Sequence, residues 1–217
     1  MKKRLHFYTV DIKYIRNLAQ KDDNVRSVSP QVQKNNRPLV GLLVMVNGRN
    51  YCAPLSSPKP KHENMKNSVD FLKIKDSNEA NAKVIGVINL NNMIPVDQSV
   101  ITPLSLHIKQ SDTPEDRYYK GLLNDQLDWC NDNMDLIVKK AQKLYDTVTN
   151  PKDNTSKLLL KRCCDFAKLE KVLDKYISKS QSTERHSPLS RGKIKANAQK
   201  ISQKSKASPT KKKEHDL

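Results

Sequence analysis

The chain lacks any apolar run long enough to cross a bilayer, a span that takes about 20 residues. Its start, Met1-Lys2-Lys3-Arg4, is basic, yet polar residues (Thr9, Asp11, Lys13) soon follow where a secretory signal would carry an apolar stretch of about 7–15 residues. Neither a membrane anchor nor a signal peptide is expected. The four cysteines, Cys52, Cys130, Cys163 and Cys164, form no C-x-x-C pair and show no zinc spacing. Neighbours such as Cys163-Cys164 rarely bond each other, because the geometry is strained. The four therefore read as buried or half-buried thiols in a reducing cytoplasm. Carboxylates do not converge either: Asp70, Asp76 and Asp97 fall on scattered elements, which speaks against two-metal chemistry.

What is present is positive charge. The 217 residues hold 40 Lys and Arg against 23 Asp and Glu, a formal net charge of +17. Residues 179–217 hold 11 of the bases and 3 of the acids, which leaves 29 and 20 for residues 1–178. The body is thus basic without its tail, and a basic body attracts polyanions with release of condensed counterions. A plain solubility charge is the alternative. Hydrophobic residues make up 36% of the chain and charged residues 29%, as expected for one domain with a modest core.

Along the first half, the pattern predicts strands. Leu5 to Val10 reads as one, and Asp11 can cap a short helix with Ile12, Ile15 and Leu18 at helical spacing. Residues 21–36 are polar and read as a loop. Pro38 to Val46 is a buried strand, Asn47-Gly48 a hairpin turn because both positions tolerate positive φ, and Arg49 to Pro54 its partner. Lys59 to Asn67 reads as a basic loop. Val69 to Lys75 alternates, with Phe71 and Lys73 on one face and Asp70, Leu72 and Ile74 on the other. Lys83 to Leu90 is apolar enough for a central strand, and Met93 to Val96 closes or edges the sheet. Successive strands with hairpin turns favour an antiparallel sheet curling towards a barrel.

The second half changes period. Thr113-Pro114-Glu115-Asp116 starts a helix, with Thr as N-cap, Pro at the first position and acids in the first turn. Tyr119, Leu122, Leu123, Gln126, Leu127 and Cys130 share a face, and Met134, Ile137, Val138, Ala141 and Leu144 continue it. The result is one long helix, or two joined near residues 131–133, ending at Asn150-Pro151. Leu158 to Cys164 is helical, and Asp165 can cap a last helix with Phe166, Leu169, Val172, Leu173 and Tyr176 inward. The fold class is α+β, with an endpoint near residue 178. Beyond it apolar residues nearly vanish, and 179–217 reads as a disordered Lys/Ser-rich tail.

The segment that carries chemistry is Ala53-Pro54-Leu55-Ser56-Ser57-Pro58-Lys59, where two hydroxyls and a lysine leave a buried hairpin at a strand end. Rigid strands aim such groups well. Hydroxyls and cations without carboxylates suit a phosphodiester. With the ribose 2′-OH as nucleophile, negative charge builds on phosphoryl oxygens, and fixed donors aimed there do most of the work. Ser57 Oγ, its flanking backbone N–H groups and Arg37 are candidates for this, with Ser56 beside them. Lys59, Lys61, His62 and Lys66 are candidate RNA contacts or simply a solvated loop. His62 has the ordinary pKa of an acid–base group, though a lone surface histidine is often idle. Tyr118 and Tyr119 could stack on bases, one of them being core at helical spacing, and Trp129 reads as a core anchor.

The order of motifs resembles the ToxN/AbiQ family, the toxins of type III toxin–antitoxin systems. It is carried by Phe7-Tyr8-Thr9-Val10, Arg37-Pro38-Leu39-Val40-Gly41, the segment Ala53 to Lys59, Gly86-Val87-Ile88-Asn89-Leu90-Asn91-Asn92-Met93-Ile94-Pro95, and Cys164-Asp165-Phe166-Ala167-Lys168-Leu169-Glu170, together spanning residues 5–178. The resemblance implies a cytoplasmic endoribonuclease that needs no metal or other cofactor and has a compact, MazF/Kid-like core. It implies a small RNA antitoxin of pseudoknot repeats that binds the active-site groove in a protein–RNA heteromer, with release on phage infection. Ser57 matches the family's essential serine, Ser56 its hydroxyl neighbour and Lys59 the following lysine. Arg37 stands where the family has a basic residue, often lysine; an arginine keeps the charge but cannot shuttle a proton near neutral pH. Val32 and Gln33 stand where some members have an aromatic residue. The reading from a different class is a non-catalytic RNA-binding protein using the same basic groove.

Overall fold

The structure, a computed structural model, describes residues 4–26, 39–77 and 82–185. The chain divides into two units, Met1–Asp174 and Lys175–Leu217, and the packed α+β fold lies in the first. Arg37, Val32 and Gln33 lie outside the described residues, as do residues 186–217 of the expected tail.

β1 (Phe7–Val10) runs into α1 (Ile12–Ala19), and the Asp11 carboxylate accepts the Tyr14 N–H at 2.9 Å as the N-cap. Tyr14, Ile15 and Leu18 are its buried face. β2 (Val40–Val46) and β3 (Arg49–Ser56) form the hairpin, with Asn47 at φ 49° and Gly48 at φ 74°, the backbone that the Asn-Gly pair was expected to supply. β4 (Phe71–Lys75), β5 (Val84–Asn89), the two-residue β6 (Ile94–Pro95) and β7 (Ile101–Pro103) complete an antiparallel sheet in the order β4-β5-β3-β2-β1-β7.

The sheet is open: β4 and β7 are its two ends and do not pair with each other. The expected curl stops short of a closed barrel. One edge of β3 is shared, pairing with β6 at Tyr51 and Cys52 and with β5 at Leu55 and Ser56. The ladder divides there instead of continuing around.

α3 (Pro114–Asp132) and α4 (Met134–Thr149) are separate helices that meet at Asn133. The Thr113 hydroxyl caps α3 by accepting the Asp116 N–H at 3.1 Å. α5 spans Lys157–Arg162 and α6 spans Phe166–Arg185. α6 therefore continues past residue 178, so the boundary placed there falls within a helix.

Register assigns the faces. Leu42 stands opposite Phe7 and Ala53, Val44 opposite Tyr51, and Ile88 between Leu72 and Leu55. This is the face the helices cover. Phe166 packs edge-on to Tyr51, with ring centroids 5.8 Å apart, and stacks on Tyr145 of α4 at 5.8 Å. Trp129, Cys130, Ile137, Ala141 and Leu144 are buried in this layer. Gly86 admits α3 closely: a Cβ there would lie 2.7 Å from Gln126 Nε2, which donates to the Ile85 carbonyl at 2.7 Å. Neither Tyr118 nor Tyr119 is core; they are 76% and 36% exposed, because the buried face of α3 begins only at Leu123. Among the described residues, no helix is long and apolar enough to cross a membrane.

Candidate nucleic-acid interface and cleavage site

The other face of the sheet carries the candidate site. β3 extends two residues beyond its expected end, because Leu55 and Ser56 pair with Ile88 and Val87. Ser56 is consequently half-buried within the sheet, and Ser57 is the first residue past it, exposed. The Asn89 amide, itself buried, donates to Ser56 Oγ at 3.0 Å and to the Pro54 carbonyl at 3.2 Å.

The basic loop expected over 59–67 contains a short helix, α2 (Pro60–Asn64). Pro60 suits its first position, where no N–H partner is needed. Lys59 is the N-cap residue but has no short acceptor to offer. His62 fills the gap: its Nδ1 accepts the Lys59 N–H at 2.9 Å, and its own N–H donates to the Lys59 carbonyl at 2.7 Å. The ring rests on Phe71, centroids 5.3 Å apart.

His62 is therefore not the surface histidine expected from sequence but is 7% exposed. Burial, then the nearby charges of Lys61, Lys59 and Arg26, hold its pKa below the ordinary 6.5. With Nδ1 accepting, the neutral ring carries its proton on Nε2. A cationic ring would need a proton on Nδ1, where the Lys59 N–H already points. The imidazole is thus built to hold Lys59 in place.

The structure also narrows the backbone donors expected beside Ser57. Pro58 has no N–H and the Lys59 N–H is engaged by His62, so hydroxyls and cations must carry more of any phosphate recognition. Lys59, Lys61 and Lys66 are exposed around the corner. Arg37 precedes Leu39 by two residues, and the Leu39 carbonyl accepts the Val10 N–H at 3.3 Å.

Two residues that the sequence did not single out frame this corner. Lys73 stands opposite Val87, which stands opposite Ser56, so all three share a face. Its ammonium donates to the Glu63 carbonyl at 3.2 Å, tying β4 to the C-terminal end of α2. The alternation through Val69 to Lys75 already put Lys73 with Phe71. Asn89 was visible only as a letter of the Gly86–Pro95 motif, because its role depends on a strand pairing that sequence does not fix.

The aspartates doubted as metal ligands have other work. Asp70 accepts from Arg162 Nε at 2.7 Å and Nη2 at 3.0 Å, and from the Ser68 hydroxyl at 2.7 Å. Asp76 accepts the Lys83 N–H and Asp97 the Ser99 N–H, each at 2.9 Å. The four cysteines are buried thiols, and burial pushes Cys52, Cys130 and Cys163 up to about 12.

The remote motifs meet in space. The Cys164 N–H donates to the Asn91 carbonyl at 2.8 Å, and Asn91 Nδ2 donates to the Arg162 carbonyl at 3.0 Å. Asn24 Nδ2 reaches the Cys163 carbonyl at 2.8 Å, and the Asp165 N–H donates to Asp22 at 2.7 Å. Glu170 accepts the Tyr51 hydroxyl at 2.7 Å and the Tyr145 hydroxyl at 3.3 Å, holding the hairpin against α4.

A basic body with an exposed hydroxyl–lysine corner at a strand end has the charge and the donors that suit a phosphodiester polyanion. The comparisons agree in class. The family model described as "Toxin ToxN, type III toxin-antitoxin system" matches residues 6–174. The endoribonuclease ToxN of Bacillus thuringiensis subsp. kurstaki is 34% identical over 181 residues, covering 82% of this chain and 88% of that protein. The endoribonuclease ToxN of Pectobacterium atrosepticum is 30% identical, covering 83% and 98%. A solved structure described as selective toxin inhibition by a non-coding RNA pseudoknot superposes with a TM-score of 0.64 at 30% identity, covering 80% of this chain and 98% of that one. The structure of AbiQ, a lactococcal anti-phage endoribonuclease, superposes at 0.65 and 26% identity, covering 81% and 99%. The chain belongs to the ToxN family of type III toxin–antitoxin toxins.

Proposed function

We propose that this toxin is an endoribonuclease that needs no metal, cleaves RNA by attack of the ribose 2′-OH on the adjacent phosphorus, and leaves a 2′,3′-cyclic phosphate and a 5′-hydroxyl. The observation that carries the reading is the corner itself: Ser57 exposed at the end of β3, Ser56 anchored beside it by Asn89, and Lys59 fixed two residues on by His62. In this reading the Ser57 and Ser56 hydroxyls donate to the non-bridging oxygens as charge builds there. Arg37 adds a permanent cation with bidentate reach, and Lys59 neutralises a neighbouring phosphate, with Lys61 and Lys66 along the strand. His62 contributes by holding Lys59. DNA has no 2′-OH and is not cut.

The partners follow from the family and from the relatives described above. They are cellular or phage RNA as substrate and a small RNA of pseudoknot repeats as antitoxin, which occupies the basic groove in a protein–RNA heteromer in the cytoplasm until phage infection frees the toxin. The MazF/Kid likeness belongs to the same proposal, the division of the ladder at β3 being where such a core would bend.

Incubating the purified protein with RNA in excess EDTA tests this. The expected products carry cyclic phosphate ends. Intact RNA retained in a complex would instead support an RNA-binding protein without catalysis.

A further inference from the structure

Asn89 does more than end a strand. In the register that sets Leu55 opposite Ile88 and Ser56 opposite Val87, Pro54 falls opposite Asn89. Pro54 has no N–H to offer the ladder, and the Asn89 side chain bridges the gap by donating to the Pro54 carbonyl and to Ser56 Oγ. The orientation of the amide follows from its partners: a carbonyl oxygen only accepts, so the atom facing Pro54 is the NH₂ nitrogen. Its two hydrogens then serve two oxygens, at 3.2 and 3.0 Å.

We propose that Asn89 is a positioning residue for Ser56, holding its hydroxyl oxygen as an acceptor so that the hydroxyl proton points out of the sheet toward the scissile phosphate. This rests on the corner being the cleavage site. A hydroxyl has one proton to give. With its oxygen engaged by an N–H, that proton is available to an outside acceptor, and accepting one bond polarises the group into a better donor. Ser56 lies in a strand and is half-buried, so the sheet fixes its backbone while Asn89 holds its hydroxyl oxygen and leaves the proton to point outward. Ser57 lies exposed beyond the strand, and among the described residues no side chain anchors it in this way.

The test is a double-mutant cycle, reading single-turnover cleavage of an RNA oligonucleotide cut by the wild-type protein. Asn89→Asp keeps the shape but replaces the donor with an acceptor, turning the Ser56 proton inward. It is expected to lower the rate about 10–100-fold while oligonucleotide affinity stays within about 2-fold. In a Ser56→Ala background the same change is expected to cost under about 3-fold. Activity of Asn89→Asp is also expected to rise as pH falls, because the protonated carboxyl can donate again. An equal loss in both backgrounds, or a loss in affinity alone, would overturn the positioning role and leave the cleavage site standing. Ser56→Ala at the wild-type rate would overturn the role of Ser56 and this inference with it. Thermal melts check folding. If Asn89→Asp is unfolded, Asn89→Ala at a temperature below its melt carries the same cycle with the same two outcomes.

Discussion

Gly86→Ala should destabilise the protein by about 2–4 kcal/mol. The added methyl would sit 2.7 Å from Gln126 Nε2, closer than real Cβ atoms come to a neighbour, and 3.0 Å from Gln126 Cδ. Gln126 is 5% exposed and its amide is fixed on the Ile85 carbonyl at 2.7 Å, so it cannot swing away without leaving that bond. Overpacking a filled site costs about 1–3 kcal/mol, and a buried polar group left without its partner costs about 1–3 kcal/mol. The alanine recovers about 0.5–1 kcal/mol of backbone entropy in a strand. For a fold of this size each kcal/mol is about 2–4 °C of melting temperature, so the melt should fall by about 4–16 °C. Calorimetry or far-UV circular dichroism measures it. Gln126→Ala removes the obstacle, so the double variant should melt close to Gln126→Ala alone. A Gly86→Ala melt within about 1 °C of wild type, or strictly additive losses, would refute the reasoning.

Arg162→Ala leaves the Asp70 carboxylate, 4% exposed, with the Ser68 hydroxyl still bonded to it. It should cost about 2–3 kcal/mol in urea unfolding, less than a fully buried pair because Arg162 itself is half exposed, and Asp70→Asn should recover part of that loss in the double variant. His62→Ala should slow RNA cleavage by loosening Lys59, while His62→Asn, whose amide oxygen can take the place of Nδ1, should retain more activity than His62→Ala or His62→Gln; equal losses in all three would contradict the cap. Because the folded pKa of His62 lies below its unfolded value, the unfolded chain binds the extra proton first. The imidazole's contribution is complete above about pH 6.5 and declines as pH falls through the folded value, so the wild-type protein should lose more stability below pH 6.5 than His62→Asn, measured by denaturant titration. Truncation after residue 178 should leave a chain that melts cooperatively, since the compact unit ends at Asp174; a broad, non-cooperative melt would place part of the fold in the removed residues.

Local signals were legible where the backbone itself enforces them. Asn47-Gly48 supplied the positive φ of a hairpin, Asp11 and Thr113 capped the helices they were expected to cap, and Asn133 divided α3 from α4. The candidate corner was visible in the sequence as neighbouring residues but not as an arrangement. Ser56 and Ser57 look alike in sequence, and only the β3–β5 register makes one an anchored strand residue and the other an exposed one. His62 read as surface because nothing in a polar stretch announces that Phe71, nine positions on, will bury its ring. The short α2 was hidden for a related reason: Lys59 is an unusual N-cap, and its partner is a histidine side chain rather than a serine or aspartate. Tyr119 shows the reverse error, a residue at the right helical spacing whose turn precedes the region where α3 meets its neighbours.

The most direct measurement is the cleavage rate of Ser57→Ala on an RNA cut by the wild type, with RNA affinity and the melting curve recorded on the same sample. The account predicts a rate lower by about 100-fold or more, the size expected when a donor to the transition-state charge is removed, with binding and melting unchanged. Cleavage at the wild-type rate by the folded variant would contradict it.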